Sequence, residues 1–483
     1  MRFLASSSLL LTLPGIGSAW QNPEPKGRDV TKIYAGSCAA CHGADLSGGS
    51  ASSLADSVWR FGGDDASLAA SIRDGHPKEG MPAMRQSLND AEIRGLIIYI
   101  REHTAAYERA HTKYNAPAPG TVVQSEQQAF KMESVVEAGL DDPWSIAFLP
   151  DGRMLVTERP GRLRLIESGH LQPELIQGVP PVFGGEGGLL DVKLHPDYAQ
   201  PGNDWVYLTY GDKLPNGLGL AAVLRGRIRH GAFVDQQQIF KADPSLYREG
   251  GMRFGSRLLF DHQGHLFFSV GDRAHPGDEQ DLSRPNGKIH RVNLDGSIPP
   301  DNPFVHRAGA MASIWSYGHR NPQGLAFNPV TGDLWEAEHG PRGGDEINIV
   351  RPAHNYGWPV ITYGMNYDGT PITDHTAQSG MEQPITYYLP SIAVASLAFY
   401  TGDRFPSWKN NLILSSLAGQ ELRRLVVKDH SVTHQEILFK GIGRVRDVAV
   451  GPDGFLYIVL NQPGRLERLV PADLPLRTES RTR

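Results

Sequence analysis

"PWSIAFLPDGRMLVTER", residues 143–159, sets an alternating apolar run, a turn of Pro, Asp and Gly, and a second apolar run in one short stretch. Period-two alternation across such a turn is the pattern of an antiparallel hairpin. The phrase returns as "GGLLDVKLHPDY" from 187, "GSRLLFDHQGHLFFSVGDR" from 255 and "NPQGLAFNPVTGDLWEAEHG" from 321. It returns again as "ASLAFYTGDRFPSWKNNLILSS" from 395 and "VRDVAVGPDGFLYIVLNQPGRLERLV" from 445. A third apolar run often follows, as in "GRLRLIE" (161–167) or "GKIHRVNLD" (287–295). Six such copies predict a six-bladed β-propeller over residues 131–475, each blade a four-stranded sheet around a central channel. A closed ring leaves few exposed strand edges, which suits a long β chain better than a sandwich does.

Ahead of the repeats, "YAGSCAACHGADL" (34–46) contains the only two cysteines in 483 residues. Cys38, Cys41 and His42 form C-x-x-C-H, the attachment signature for a c-type haem. Two thioethers fix the porphyrin and His42 reaches the iron. A sixth ligand is expected downstream, in "GHPKEGMPAMRQSLNDAEI" (75–93); Met81 is the choice and Met84 the alternative. His plus Met ligation raises the reduction potential, which suits an electron acceptor. Asn89 as cap, Glu92 three residues on, and Ile93, Leu96, Ile97 and Ile100 at helical spacing predict a helix after it. Residues 28–105 resemble the class I cytochromes c, so a small all-α domain is expected before the mainly β propeller.

The ends and the composition bound the rest. "MRFLASSSLLLTLPGIGSAW" is laid out as a secretory signal peptide, residues 1–19. Residues 20–110 are then a cytochrome c domain and the Pro- and Gly-containing stretch 111–130 a linker. No later stretch is apolar enough to span a membrane, so a periplasmic or secreted protein is expected, and covalent haem fits export. The net charge of −6, with scattered Lys and Arg, gives no footprint for nucleic acid.

The loops of the repeats are more specific than the fold. "SVGDR" (269–273), "YGHRNPQGLAFNP" (317–329), "EHGPRGGDEINIV" (338–350), "HNYGWP" (354–359) and "RVRDVAVGPDG" (444–454) occur in that order. Together they resemble the soluble PQQ-dependent glucose and aldose sugar dehydrogenases over about residues 133–471. The resemblance implies that Arg444 and Arg446 hold the quinone. They are two apart, so on a strand they share a face, and guanidinium forks suit a tricarboxylate. It implies further that Arg320 and Asn321 lie over the cofactor and Glu186 contacts it. The carbonyls of Gly340 and Pro341 would bind calcium, and Asp272 would support the catalytic base. Glu346 and Tyr356 match a second calcium site for which no partner ligands are evident.

Three positions depart from that family. Its catalytic base is a histidine, and the matching residue is Arg253, whose guanidinium has no lone pair to accept a proton. Ala418 stands in place of a lysine near the quinone, and Leu389 in place of a tryptophan lining the substrate site. The first reading is a dehydrogenase of sugars or related alcohols that passes electrons from PQQ to its own haem and on to a respiratory acceptor. On this reading Asp272 or another group takes the proton that Arg253 cannot. The alternative is an altered propeller with a binding or sensing role, Arg253 pairing with Asp272 or Glu186. A calcium-only lactonase is disfavoured by the arginine pair.

Overall fold

The computed structural model describes residues 26–112, 117–118 and 120–474; the signal sequence expected at 1–19 lies outside them. The N-terminal domain has four helices: α1 (Val30–Ser37), α2 (Ala39–His42), α3 (Asp65–Asp74) and α4 (Asp90–His111). Asp29 caps α1 by accepting from Thr31 N at 2.9 Å. The capping box expected at α4 is present, with Asn89 and Glu92 bonding each other's backbone N–H. Ile93, Leu96, Ile97 and Ile100 of α4 are buried against Val30, Ile33 and Tyr34 of α1 and Leu68 of α3. Arg28 donates to both oxygens of Glu92 at 2.8 and 2.9 Å, and these bonds hold the Glu92 carboxyl down at about 2.

The remainder is a six-bladed propeller, as the repeats predict. Five blades have four strands in sequential order, and the sixth has five. The innermost strands are Pro143–Phe148, Leu189–Leu194, Gly255–Phe260, Pro322–Phe327, Val394–Phe399 and Arg444–Val450; each packs on the next and the last packs on the first. Apolar residues on facing sheets fill the gaps between blades. Near the axis the interior turns polar: Arg257 Nη1 lies 3.0 Å from Asp447 and 3.5 Å from Asp191, and Trp144 is 4.3 Å beneath the guanidinium. Buried charges of opposite sign thus tie three inner strands together.

Closure of the ring was not legible in the repeat pattern. The sixth repeat supplies only three strands, and Phe130–Val136 from before the first blade completes its sheet, pairing with Gly464–Pro471 from Phe130↔Pro471 to Val136↔Leu466. Val122–Val123, inside the stretch read as linker, adds a short outer strand.

Candidate active site

On one face of the propeller, loops and inner-strand ends from several blades converge on a cluster of arginines. Arg446 is buried, and its side-chain hydrogen bond goes to the neutral Gln323 Oε1 at 2.9 Å, while its Nε has no partner. Arg320 is buried too; it donates to the carbonyls of His339 and Gly340 at 2.9 and 2.6 Å, and its Nε is also unpartnered. Neither they nor Arg444 form an ion pair among the described residues. Burial, then the neighbouring Arg444, lowers Arg446 to about 9; burial and Arg253 lower Arg320. His339 lies among the same arginines and is kept neutral, at about 3, by burial and their charge. Packing guanidinium groups together without a carboxylate in contact is unfavourable, so the cleft favours an anion.

Arg444 and Arg446 meet in this cleft by a route that alternation did not foresee. Strand pairing shifts between Arg444 and Val445 and again before Asp447, so Arg446 sits in a bulge. The bulge, rather than a regular two-residue period, governs how the two side chains are presented.

Arg253 projects from a different loop. Its Nη1 donates to Asp272 Oδ2 at 2.8 Å, and its backbone N–H donates to Glu186 Oε2 at 2.7 Å. Asp272 is fully buried and also accepts from Trp358 Nε1 at 2.9 Å and Ala274 N at 2.7 Å. Trp358 Nε1 is shared with Glu279 Oε1 at 3.0 Å, and burial beside Asp272 raises Glu279 well above the usual carboxylate range. Arg253, Arg273 and Ala274 all adopt left-handed backbone, with φ of 57°, 58° and 57°. Strained residues of this kind concentrate at functional sites. Asn321 sits behind them, its Oδ1 accepting from Gly255 N at 3.1 Å.

The loop after Glu338 presents its carbonyls to the cleft. Gly340 O accepts from Arg320, and Gly340 N donates to Asp345 Oδ1 at 2.9 Å. Asp345, raised to about 6 by burial, also accepts from Ser391 Oγ and Ile392 N, so one carboxyl fixes both walls of the loop. Gly340 O is thus turned into the cleft toward a cation, the Arg320 guanidinium. Trp358, Glu279, Asp345 and His339 were not singled out from sequence. Trp358, His339 and Asp345 lie in quoted motifs and Glu279 does not, and nothing local marks the partners they meet.

The haem-attachment residues lie together at the end of α1 and through α2. Cys38 is half-buried and Cys41 exposed, and His42 Nδ1 is 2.9 Å from Ser52 O. That contact fixes the ring and leaves Nε2 for a metal, the usual arrangement of a ligating histidine. Met84 packs on the domain core, with Ser87 Oγ at 3.8 Å from its sulfur, whereas Met81 is half-buried beside His76, with which it forms a β-bridge.

The two domains meet at the Gly340 loop. Arg342 grips Glu102 of α4 at 2.7 and 2.9 Å. A Cβ on Gly343, whose φ is +79°, would fall 2.6 Å from Leu389 and 3.4 Å from Ile98 of α4, so only glycine fits there. Leu389 and Met365 of the propeller join the haem-domain core, so Leu389 serves the interface between domains. Val30 N donates to Gly369 O at 3.0 Å. A cavity of 1360 Å³ opens between α4 and blades four and five, lined by Glu102, Arg109, Arg342, Tyr367 and Arg423. Tyr367 links it to the arginine cleft, its hydroxyl 3.5 Å from Arg320 Nη2.

The propeller and the helical domain each match a known family. The glucose/sorbosone dehydrogenase family model matches residues 140–468, and that of cbb3-type cytochrome c oxidase subunit III matches residues 25–100. Aldose sugar dehydrogenase YliI of Escherichia coli is 42% identical over 345 residues, 70% of this chain and 92% of that protein. The apo-form crystal structure of the soluble aldose sugar dehydrogenase from Escherichia coli superposes with a TM-score of 0.66 at 40% identity, over 71% of this chain and 99% of that one. The PQQ-bound aldose sugar dehydrogenase from Streptomyces coelicolor gives 0.57 at 26% identity, over 71% and 98%. Among the described residues no helix is long and apolar enough to cross a membrane.

Proposed function

The chain belongs to the glucose/sorbosone dehydrogenase family, with a cytochrome c domain ahead of its propeller, and from that premise we propose a periplasmic or secreted oxidoreductase that oxidises a sugar or related alcohol with PQQ and passes the electrons to its own haem. When bound, PQQ supplies a two-electron oxidant, calcium a Lewis acid beside it, and haem a one-electron outlet. Arg444, Arg446 and Arg320 bind the quinone carboxylates, with Asn321 and Glu186 at its edge and the Gly340–Pro341 carbonyls toward the calcium. Cys38 and Cys41 attach the haem, and His42 and Met81 ligate it. Sugar enters by the polar cavity between the domains, where α4 forms one wall. A respiratory acceptor takes the electrons onward.

One observation carries this reading. Four consecutive residues, Gly340 to Gly343, touch the arginine cleft at one end and helix α4 at the other. The oxidising site and its electron outlet therefore share a loop.

The sugar hydroxyl must lose a proton as its hydride leaves. Arg253 cannot take it. Asp272 is the acceptor in this proposal, and Arg253, lying over it, must swing aside toward the substrate, where its charge favours acidic or partly oxidised sugars. The same ion pair favours a second reading, a binding or sensing propeller in which Arg253 locks Asp272. Loading the protein with PQQ and calcium and screening neutral and acidic aldoses with an artificial dye separates the two. Turnover with some sugar is expected; a PQQ-loaded protein inert toward all of them leaves the binding role.

A further inference from the structure

Behind the arginine cleft, between the third and fourth blades, lies a cluster that the proposed chemistry does not use. His319 precedes Arg320 on the segment joining these blades, while Glu336 and Glu338 alternate on the strand Leu334–Glu338 and so share a face. All three are buried, at 0, 0 and 4% exposure, and their ligand atoms lie within 4.8 Å of one another. Glu338 Oε2 accepts from Arg320 N at 2.7 Å. Both oxygens of Glu336 and the Nδ1 of His319 have no hydrogen-bond partner, although Nδ1 is 3.1 Å from Glu336 Oε1 and 3.9 Å from Glu338 Oε1. His319 Nε2 meets Ser316 Oγ at 2.8 Å, and the ring stacks on Tyr356 at 4.5 Å. The imidazole is thus held with Nδ1 turned to the two carboxyls.

We propose that His319, Glu336 and Glu338 bind a divalent first-row transition ion, zinc by preference, that pins the third and fourth blades behind the cofactor cleft. Charge and geometry agree. Two carboxylates buried without a cation are unfavourable, and burial pushes both carboxyls well up. The nearby Lys288 is engaged elsewhere: its amino group donates to the carbonyls of Asp278, Glu279 and Asn286, and its charge partners are Glu279, Asp278 and Asp281. A divalent ion with a neutral imidazole and two carboxylates makes the site neutral. Tetrahedral zinc ligands at about 2.1 Å stand about 3.4 Å apart, between the 3.1 and 3.9 Å found here. An imidazole nitrogen argues against calcium, which takes oxygen. Ser316 supplies the outer contact that ligating histidines characteristically make. Glu346, opposite Glu338 on the next strand, borders the site, and it is the residue that matches the family's second calcium site.

Elemental analysis of the full chain tests this, with haem iron as internal standard. One equivalent of zinc or another first-row ion beyond haem iron is expected in protein produced with that metal. Glu336→Gln should lower its affinity at least about 100-fold, as loss of a direct ligand exceeds the effect of an outer contact. The variant is discriminating: glutamine mimics a protonated glutamate, so it changes nothing if the cluster is metal-free. Zinc added back to chelator-treated wild type should raise the melting temperature, and should not do so for Glu336→Gln. Wild type carrying only haem iron and calcium overturns the proposal, as does a Glu336→Gln variant that keeps the metal. Should that variant fail to accumulate, the metal content of wild type decides alone.

Discussion

The haem domain and the propeller cleft are built to hold cofactors by opposite means. In the domain, Cys38 and Cys41 sit at one helix junction and offer covalent attachment, so nothing around them needs to be charged or strained. In the cleft, Arg320 and Arg446 are buried with unpartnered nitrogens, and Arg253 and Arg273 adopt left-handed backbone. The domain is stabilised by local devices such as the Asn89–Glu92 box. The cleft is a reservoir of unpaired charge held in place by the rest of the ring. Local covalent attachment should respond to mutation in an all-or-none way, and a field of charges in a graded way.

The largest effect is therefore expected at Cys41→Ala with Cys38→Ala: complete loss of the haem spectrum, with β-rich circular dichroism unchanged. A propeller that fails to fold without haem would break the comparison. Next comes Asp272→Asn, which should slow sugar oxidation by about 10²–10⁴, the span of general-base catalysis, while PQQ stays bound. A variant as fast as wild type would exclude Asp272 as proton acceptor. If wild type is inert and Arg253→His creates activity, the binding reading holds. Arg446→Ala should weaken PQQ binding by about ten-fold or more, since a charge-assisted hydrogen bond is worth about 1.5–3 kcal/mol. Unaltered titration of Arg444→Ala with Arg446→Ala would remove PQQ from this face.

A last effect, on stability alone, is expected at Glu92→Gln, about 1–3 kcal/mol, chiefly from loss of the Arg28 pair and secondarily of half a capping box. Its sign with pH is fixed. Glu92 sits near 2 when folded, below its ordinary 4.5, so its contribution is present above 4.5 and fades as pH falls toward 2. Wild type and variant should converge in acid; a gap that widens there would contradict the assignment.

How much of this the sequence disclosed follows from the same contrast. C-x-x-C-H and the helix after Asn89 are contiguous signals, and each hairpin carries its own turn, so domain type and blade number were readable. Phe130–Val136 was not placed, because its partner strand lies more than three hundred residues away and a lone apolar run does not announce which sheet it completes. The cleft was half legible. Arg320, Asn321, Arg444 and Arg446 were reached only through resemblance, and Arg253 as a departure from it. Trp358 bridging Asp272 and Glu279 was invisible, since 86 and 79 residues separate them. The bulge at Arg446 escaped because alternation assumes an unbroken strand.

The central claim is that the propeller's electrons go to the haem of the same chain, across the loop that Arg342 and Glu102 clamp. Rapid mixing of PQQ- and calcium-loaded oxidised protein with its sugar, followed at the α band of reduced haem, tests it directly. The account predicts first-order haem reduction whose rate does not change with protein concentration, as for tethered partners, and which slows in Glu102→Gln. A haem that stays oxidised while dye is reduced, or a rate that rises in proportion to protein concentration, would contradict it.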